Sequence, residues 1–427
     1  MMTERLYTGD SFLKSFQAVV TDIREHSREN QQTLWQIALD RSTFYPTGGG
    51  QPFDTGYLRA TSRSGNTLEL AVVGVEEDEH GELWHFVQKP LLKDTTVEGL
   101  IDWPRRLDHM QQHSGQHLLS AVFARELGAH TLSFHMGQEV SSIDLDKPAL
   151  TEAELTHVEQ TANLLIAEDR AVSLHTITRA EAEAELAVGS LRKLPPREGP
   201  LRVVAIADYD RNACGGTHVS STGQIGGLML RSTEKVSRGL RVNFVCGLRA
   251  IEAARRDAAL LAQAAQPLSI GVQDLPGAVE RLRAEAKASV KELQKLREER
   301  AQEQAQKIAA ELASQAAASS ATTSSSAPRW FERSFTDRDR DSLRLLAASL
   351  TVMSPHTIAL LTSTQGQTGS VVLARSADLD LHCGKALQAA LAPLGMRGGG
   401  SPSLAQADLS AATLAPLCKA LTEAVRP

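Results

Sequence analysis

Aromatic residues are scarce. Phe, Trp and Tyr make up 4% of the 427 residues, so the cores must be aliphatic and alanine-rich rather than built on ring packing. Cysteines are few: Cys214, Cys246, Cys383 and Cys418. That number in a chain this long excludes a disulfide framework and suits a reducing compartment. No apolar run approaches the ~20 residues of a membrane span. The opening MMTERLYTGDSFLKSF lacks the continuous apolar segment of a signal peptide. Positive charge is not in excess either. A net charge of -6 and a pI near 6.1 exclude unselective, whole-surface nucleic-acid binding and leave room only for a local basic patch. These absences predict a soluble, cytoplasmic protein, and the length suggests about two to four domains.

What is present is patterned. Alternating apolar runs at Phe16–Ile23, Leu34–Leu39, Leu68–Val73 and Leu83–Val87 predict short strands, with turn-forming clusters at the spacing of a small barrel or meander. Phe44–Gly56, FYPTGGGQPFDTG, interrupts them. Its glycines permit positive φ and close approach of backbone to a ligand. It is no P-loop, because no GK[ST] follows; a wide hairpin loop and the lining of a cleft both fit it. Asp102-Trp103-Pro104 then opens a helix that runs to Leu127 and stops at Gly128. Leu107, Met110, Leu118 and Val122 form its apolar stripe, and His109, His113 and His117 lie in a row along one border.

Residues 129–245 read as mixed α and β. Strands are predicted at 131–134, 141–145, 172–176, 201–206, 225–234 and 239–245. Helices are predicted at 151–168, opened by a Thr151/Glu154 capping box, and at 179–187. From Leu248 the composition turns to Ala, Glu, Gln, Lys, Arg and Leu. Val279, Leu282, Ala286, Ser289, Leu293 and Leu296 follow a heptad-like spacing that then slips to Ala301, Ala305, Ile308 and Leu312. This predicts a long amphipathic helix able to form a short coiled coil. ASQAAASSATTSSSAP is polar and low in complexity, a flexible linker. Beyond it, helices are predicted at 384–392 and 413–424, and Gly398-Gly399-Gly400 lies between them. Glycine-rich backbone at a helix entry can cradle a phosphate; a plain turn is the other reading. The fold class is α+β. It comprises a small β-barrel over 1–100, an α+β domain over 101–247, a helical or coiled-coil connector over 248–317, a linker over 318–328 and an α/β domain over 329–427.

The sharpest chemical statement is His113-Ser114-Gly115-Gln116-His117. Residues i and i+4 share a helix face, so both imidazoles can reach one ion. Alone, the pair equally fits two surface histidines. Cys214-Gly215-Gly216-Thr217-His218 changes the balance, with a Cys and a His at the same spacing around bendable backbone. Together the four supply nitrogen and sulfur ligands, which favour zinc over the oxygen-seeking magnesium and calcium. Position 114 is Ser, so the built-in Glu base of HExxH proteases is missing. Four protein ligands suggest a closed ion.

FYPTGGGQPFDTG, then MQQHSGQHLL, then CGGTHV, in that order over residues 1–250, resemble the alanyl-tRNA editing module. That module occurs within alanyl-tRNA synthetases and as free-standing AlaX proteins, here of the long form. The tail, GMRGGGSPSLAQA, is similar to the DHH-associated domain at the C-terminus of those proteins. The phosphoesterase half and the class II synthetase domain have no counterpart, so neither phosphoester hydrolysis nor ATP-dependent activation is expected. The resemblance implies one zinc ion on His113, His117, Cys214 and His218. It implies a glycine-rich site motif at Gly48, Gly49, Gly50 and Gln51, and a serine-reading hydroxyl at Ser42 or Thr43. It also implies the activity: deacylation, in trans, of tRNA(Ala) carrying serine or glycine.

The chemistry explains the need. A pocket for alanine excludes glycine by only about 1–3 kcal/mol and cannot strongly reject an added hydroxyl, so a second, hydrolytic sieve is required. In the expected reaction water attacks the aminoacyl ester. Gln51 and the Ser42 or Thr43 hydroxyl hold the seryl side chain, and Gly48–Gly50 amides meet the oxyanion. His109 is a candidate for proton transfer. Arg105, Arg106, Lys235, Arg238 and Arg241 are candidates to meet tRNA phosphates, as are Gly398, Gly399 and Gly400. A homodimer through the helical region or the C-terminal domain is a further expectation. Two other classes fit the same ligands: a zinc-stabilised RNA-binding module without hydrolysis, and a zinc hydrolase for another ester or amide.

Overall fold

The computed structural model describes residues 2–29, 32–62, 65–188, 191, 194, 199–319 and 328–426. The predicted linker falls largely at 320–327, outside these residues. The chain divides into two units, Met1–Ala264 and Ala265–Pro427.

Alternating hydropathy sets the start of the first unit into strands: β1 (Glu4–Arg5), β2 (Ser15–Glu29), β3 (Gln32–Leu39), β4 (Arg41–Ser42), β5 (Gly56–Thr61), β6 (Thr67–Val72), β7 (Gly74–Glu77), β8 (Leu83–Val87) and β9 (Thr96–Ile101). β1 pairs only with β4, in parallel. The other seven form one antiparallel sheet in the order β6-β5-β9-β2-β3-β8-β7. Its inward face buries Val20, Ile37, Leu39, Phe44, Leu58 and Val97. The expected barrel does not close, because β6 and β7 end the order without pairing. The reason is covalent. Only Val73 separates them, so the chain passes straight from one edge to the other, and contiguous residues cannot lie beside themselves as a ladder. FYPTGGGQPFDTG is the loop from β4 to β5, as expected.

Helix α1 (Trp103–Leu127) starts where the Asp102 carboxylate accepts the Arg105 amide, with Pro104 in its first turn. It ends where Gly128 turns left-handed at φ 58°. Met110, Leu118 and Val122 are fully buried, and Leu107 packs partly against the same core. The polar residues of α1 are buried as well, among them His109, Gln112, His113, Ser114 and His117. Around it stand β10 (Thr131–Met136), β11 (Ser141–Leu145), α2 (Glu152–Ala167), β12 (Val172–Ile177), α3 (Arg179–Ala187), β13 (Leu201–Ile206), β14 (Asp210–Ala213), β15 (Leu228–Val236), β16 (Gly239–Cys246) and α4 (Gly247–Ala265). The Thr151/Glu154 capping box opens α2 as predicted. The strand predicted from residue 225 instead begins at Leu228, after a single 3-10 turn at Thr222–Ile225. The strands make a four-stranded sheet, β10-β11-β16-β15, and a three-stranded sheet, β12-β13-β14. α1 lies against β16 so closely that a Cβ on Gly115 would come within 2.3 Å of Cys246 Sγ. Position 115, midway between the two histidines, therefore leaves no room for a side chain.

The second unit holds α5 (Leu275–Ser319), β17 (Arg329–Thr336), α6 (Arg340–Met353), β18 (Thr357–Gln365), β19 (Thr368–Arg375), α7 (Cys383–Leu391), β20 (Gly399–Gly400), β21 (Leu404–Ser410) and α8 (Ala411–Val425). Its sheet runs β17-β18-β19-β21-β20, with only β17 and β18 parallel. α5 has two characters. Ala305, Ile308 and Leu312 are buried in a core with Leu343, Leu346 and Leu350 of α6, whereas the predicted heptad stripe before them is exposed. The Gly398–Gly400 segment is not a helix entry. Gly399 and Gly400 pair with Gln406 and Ala405 at the sheet edge, because the residues after them alternate as β21 and draw the glycines into a ladder.

Candidate metal centre

Two loops and one helix converge on the predicted ligands. α1 carries His113 and His117 on one face, and the segment after β14 returns Cys214 and His218 to that face. Their ligand atoms all lie within 4.8 Å of one another. Cys214 Sγ is 3.4 Å from His113 Nε2 and 3.3 Å from His218 Nε2. Zinc bonds of about 2.0–2.1 Å to nitrogen and about 2.3 Å to sulfur give a tetrahedron with N···S edges of about 3.5 Å, so the two Cys–His spacings fit an ion of that size. The His117 ring stands 5.3 Å from that of His113 and 4.8 Å from that of His218. His113, His117 and His218 are buried and Cys214 is half-buried.

Neighbouring groups aim the ligands. Gln51 Oε1 lies 2.8 Å from His113 Nδ1, which holds the proton there and turns Nε2 toward the cluster. The same oxygen accepts the Thr217 amide at 3.2 Å, and Gln51 Nε2 donates to Thr217 Oγ1 at 2.9 Å. Ser114 Oγ is 3.1 Å from His218 Nδ1 and accepts the Val219 amide at 3.1 Å. A Cβ on Gly216 would meet His113 Cε1 at 2.2 Å, which explains a glycine inside CGGTH. Burial pushes the His113 imidazole down to about 3 and His218 well below its ordinary value, so both stay neutral, the form a metal requires. Burial pushes the Cys214 thiol up, and the Gly216 amide and the Arg202 charge pull it partly back.

The other predicted residues fall into three groups. The first lies in the loop and strand beside the centre. Gly48 donates to Gln51 O at 3.0 Å and accepts the Gln51 amide at 2.9 Å, so its amide is committed. Among the described residues, the amides of Gly49 and Gly50 donate to no protein acceptor. The Ser42 hydroxyl is fully buried, 2.8 Å from His85 Nε2 and accepting the Phe44 amide at 3.1 Å. Thr43 is also fully buried, and its hydroxyl has no partner.

The second group is His109, buried one turn before His113 with Nδ1 unpartnered. Burial first, then the charge of Arg105, lowers it to about 3. The third group is the cations. Arg238 and Lys235 are exposed at the β15–β16 hairpin. Arg241 is bidentate to Asp144, at 2.7 and 3.0 Å. Arg105 donates to Phe53 O at 3.1 Å.

Arg106 corrects the expectation that it meets phosphate. Its side chain is fully buried. It donates to Asp54 Oδ2 at 3.0 Å and to Ser11 O at 2.8 Å, and also to the Thr43 carbonyl. Asp54 Oδ2 accepts the Tyr45 amide at 2.7 Å. This pair staples FYPTGGGQPFD to α1. Arg202, on β13, is a second residue the sequence did not single out. One of its nitrogens, Nη1, donates to the carbonyls of Cys214 at 3.0 Å and Gly216 at 2.7 Å, fixing the ligand loop. The only signal in the sequence was an arginine in an otherwise apolar strand, Leu201–Ile206.

Known proteins are similar to this chain in sequence over the same region. A family model described as "Threonyl and Alanyl tRNA synthetase second additional domain" matches residues 201–241. The alanine–tRNA ligase of Pyrococcus abyssi is 34% identical over 305 residues, 70% of this chain and 32% of that protein. The alanyl-tRNA editing protein Aarsd1 of Bos taurus is 33% identical over 288 residues, 65% of this chain and 62% of that protein. The chain belongs to the alanyl-tRNA editing family. It spans about a third of the length of the ligases it matches and under two thirds of the editing proteins. Among solved structures, the C-Ala domain from Aquifex aeolicus alanyl-tRNA synthetase is similar over 22% of this chain and 89% of that one. At 20% identity and a TM-score of 0.21, that likeness is too slight to build on. No helix among the described residues is long and apolar enough to cross a membrane.

Proposed function

We propose that the chain removes serine, and also glycine, from mischarged tRNA(Ala) by hydrolysing the aminoacyl ester, with one zinc ion on His113, His117, Cys214 and His218. The observation that carries this reading is the junction at Gln51. One amide joins the glycine loop to a ligand histidine, so a substrate against the loop lies beside the ion. Bound zinc would supply a Lewis-acidic centre that orients the terminal adenosine or the amino acid, or polarises water.

The protein groups divide the remaining work. Gly49 and Gly50 have amides free to meet the oxyanion as it forms on the ester carbonyl, whereas the Gly48 amide is committed. Of the two hydroxyls, Ser42 is engaged by His85 and the Phe44 amide, and Thr43 is unengaged. Thr43 is therefore assigned the reading of the seryl hydroxyl. Gln51 acts through His113 as a positioning residue. Neutral His109, buried one turn before His113 with Nδ1 unpartnered, is the candidate to relay the proton from the attacking water to the departing ribose oxygen, as a donor–acceptor link rather than a base that stays charged. Arg238 and Lys235 are the free cations for phosphate, and Arg241 is already matched by Asp144.

The test is a deacylation assay with Ser-tRNA(Ala), Gly-tRNA(Ala) and Ala-tRNA(Ala). Loss of the seryl and glycyl esters with sparing of the alanyl ester is expected. No loss of seryl ester above background would sink the reading. Four protein ligands also suit a purely structural ion. A zinc-loaded chain that binds tRNA without hydrolysing any of the three esters would identify that alternative.

Self-association belongs to the same reading. Val279, Leu282, Leu293 and Leu296 are each about half exposed on α5. With Val279 and Leu282 at the two seam positions, Glu285, Glu292 and Glu299 flank one side and Arg283 and Arg297 the other.

A further inference from the structure

A second arrangement of charge lies in the Ala265–Pro427 unit. Arg297, Arg300 and Gln304 stand three and four residues apart, so they share a face of α5. That face lines a cleft of about 510 Å3 whose other wall is the turn from Thr336 to Asp339. Arg297 is accounted for. It sits 3.2 Å from Asp339, whose other oxygen accepts the Ser342 amide at 2.7 Å and caps α6.

Arg338 is built differently. Its Nη1 donates to Gln304 Oε1 at 2.7 Å, and its guanidinium lies 4.1 Å over the Phe335 ring. Its own amide donates to Ser363 Oγ at 3.0 Å. The planar fork is thus held in place before any ligand arrives, with donors to spare. Burial first, and the nearby charge of Arg300 second, hold the Arg338 guanidinium below its ordinary value. Among the described residues, neither Arg300 nor Arg338 has a carboxylate partner, and Arg300 has no hydrogen bond. Asp337, at the rim of the same cleft, pairs with neither.

Two guanidiniums brought together without a counter-charge, in a chain of net charge -6, call for an anion from outside. Guanidinium forks match phosphate oxygens in geometry and strength. The half-exposed Leu293 and Leu296 extend the cleft with apolar surface, which suits a sugar or base face better than a bare ion. We propose that Arg300 and Arg338 bind a phosphodiester of an RNA strand. Its identity as tRNA rests on the editing reading above; the phosphate chemistry does not. This moves the expected RNA contact of the C-terminal unit from the Gly398–Gly400 edge to the α5–β17 cleft.

The experiment is fluorescence anisotropy of the full chain with uncharged tRNA(Ala), from about 50 to about 200 mM salt. In R300Q, which removes an unpartnered side chain, weaker binding is expected, with a salt slope shallower by about 1. R338K, which keeps the charge but loses the fork, should lie between wild type and R300Q. K291Q, exposed on α5 away from the cleft, should match wild type. Equal affinity and slope in wild type and R300Q would overturn the proposal. A thermal midpoint raised by inorganic phosphate in wild type but not in R300Q, with tRNA binding unchanged, would identify a small phosphorylated ligand and overturn the RNA assignment. Because the tRNA is uncharged, the result stands apart from the deacylation assay. Failure of hydrolysis would remove the editing reading and leave this binding result intact.

Discussion

Two helices of this chain invert each other. α1 buries polar side chains, His109, Gln112, His113, Ser114 and His117 among them, while α5 exposes Val279, Leu282, Val290, Leu293 and Leu296. A buried polar group left unmatched costs about 1–3 kcal/mol, so each one on α1 needs an answer nearby. Most have it. Gln112 exchanges hydrogen bonds with both the carbonyl and the amide of Cys246, each at 2.9 Å, and His113 and His218 have Gln51 and Ser114. On α5 the stripe is answered only from Ala301 onward, where α6 covers it. On α1 His109 Nδ1 is the exception, buried without a partner. The uncovered apolar stripe of α5 is the surface that the proposed pairing of two copies would cover.

The strongest way to break the comparison is at the staple that holds the glycine loop to α1. Arg106→Ala leaves Asp54 charged and buried, and should cost about 3–5 kcal/mol, read as a lowered midpoint in denaturant unfolding. Intact stability would mean that the loop is held elsewhere. Gln51→Ala and Ser114→Ala leave the ligands in place and remove their orienting partners. Each should weaken zinc binding about 10–100-fold in chelator competition, and retention of wild-type affinity would unseat the assigned roles.

Acid should sharpen the contrast further. Burial holds the His85 imidazole down at about 4, against an ordinary value near 6.5. As pH falls through about 6.5, the unfolded chain takes up a proton that the folded chain refuses. Stability is therefore lost between about pH 6.5 and pH 4, at about 1.4 kcal/mol per pH unit. His85→Gln should flatten that slope in unfolding curves; an identical slope would assign the acid sensitivity to other groups. The smallest effect on stability belongs to α5. Leu293→Asp should change unfolding free energy by no more than about 0.5 kcal/mol while shifting a dimer to monomer in light scattering. A wild-type chain that is monomeric at all concentrations would remove the interface.

Legibility followed sequence separation. The ends of α1 were written locally, in Asp102, Pro104 and Gly128, and the His/Cys cluster that could hold a metal in two i, i+4 spacings. The heptad stripe of α5 was legible for the same reason. What could not be read were contacts made by remote segments. Arg106 looked like one more solvated charge in a first helical turn, and only the β-sheet brings Asp54 under it. Ser42 and Thr43 are neighbours in sequence, yet only His85 tells them apart. Alternation gives strands but not whether the last edges pair, so it leads to a barrel where β6 and β7 stay unpaired with each other. Gly398–Gly400 were misjudged because the strand that captures them follows them.

The Gln51 junction also sets an order of events. Its partners lie 62 residues away at His113 and 166 residues away at Thr217, and Cys214 meets His113 across 101 residues. Contacts of such separation form late, after local helices and hairpins. A chain made from its N-terminus has α1 before it has Cys214 or His218. During that interval the histidine pair and its polar neighbours lack the partners that justify burying them. The centre is thus the clasp of the first unit, closed only once all three segments have been synthesised.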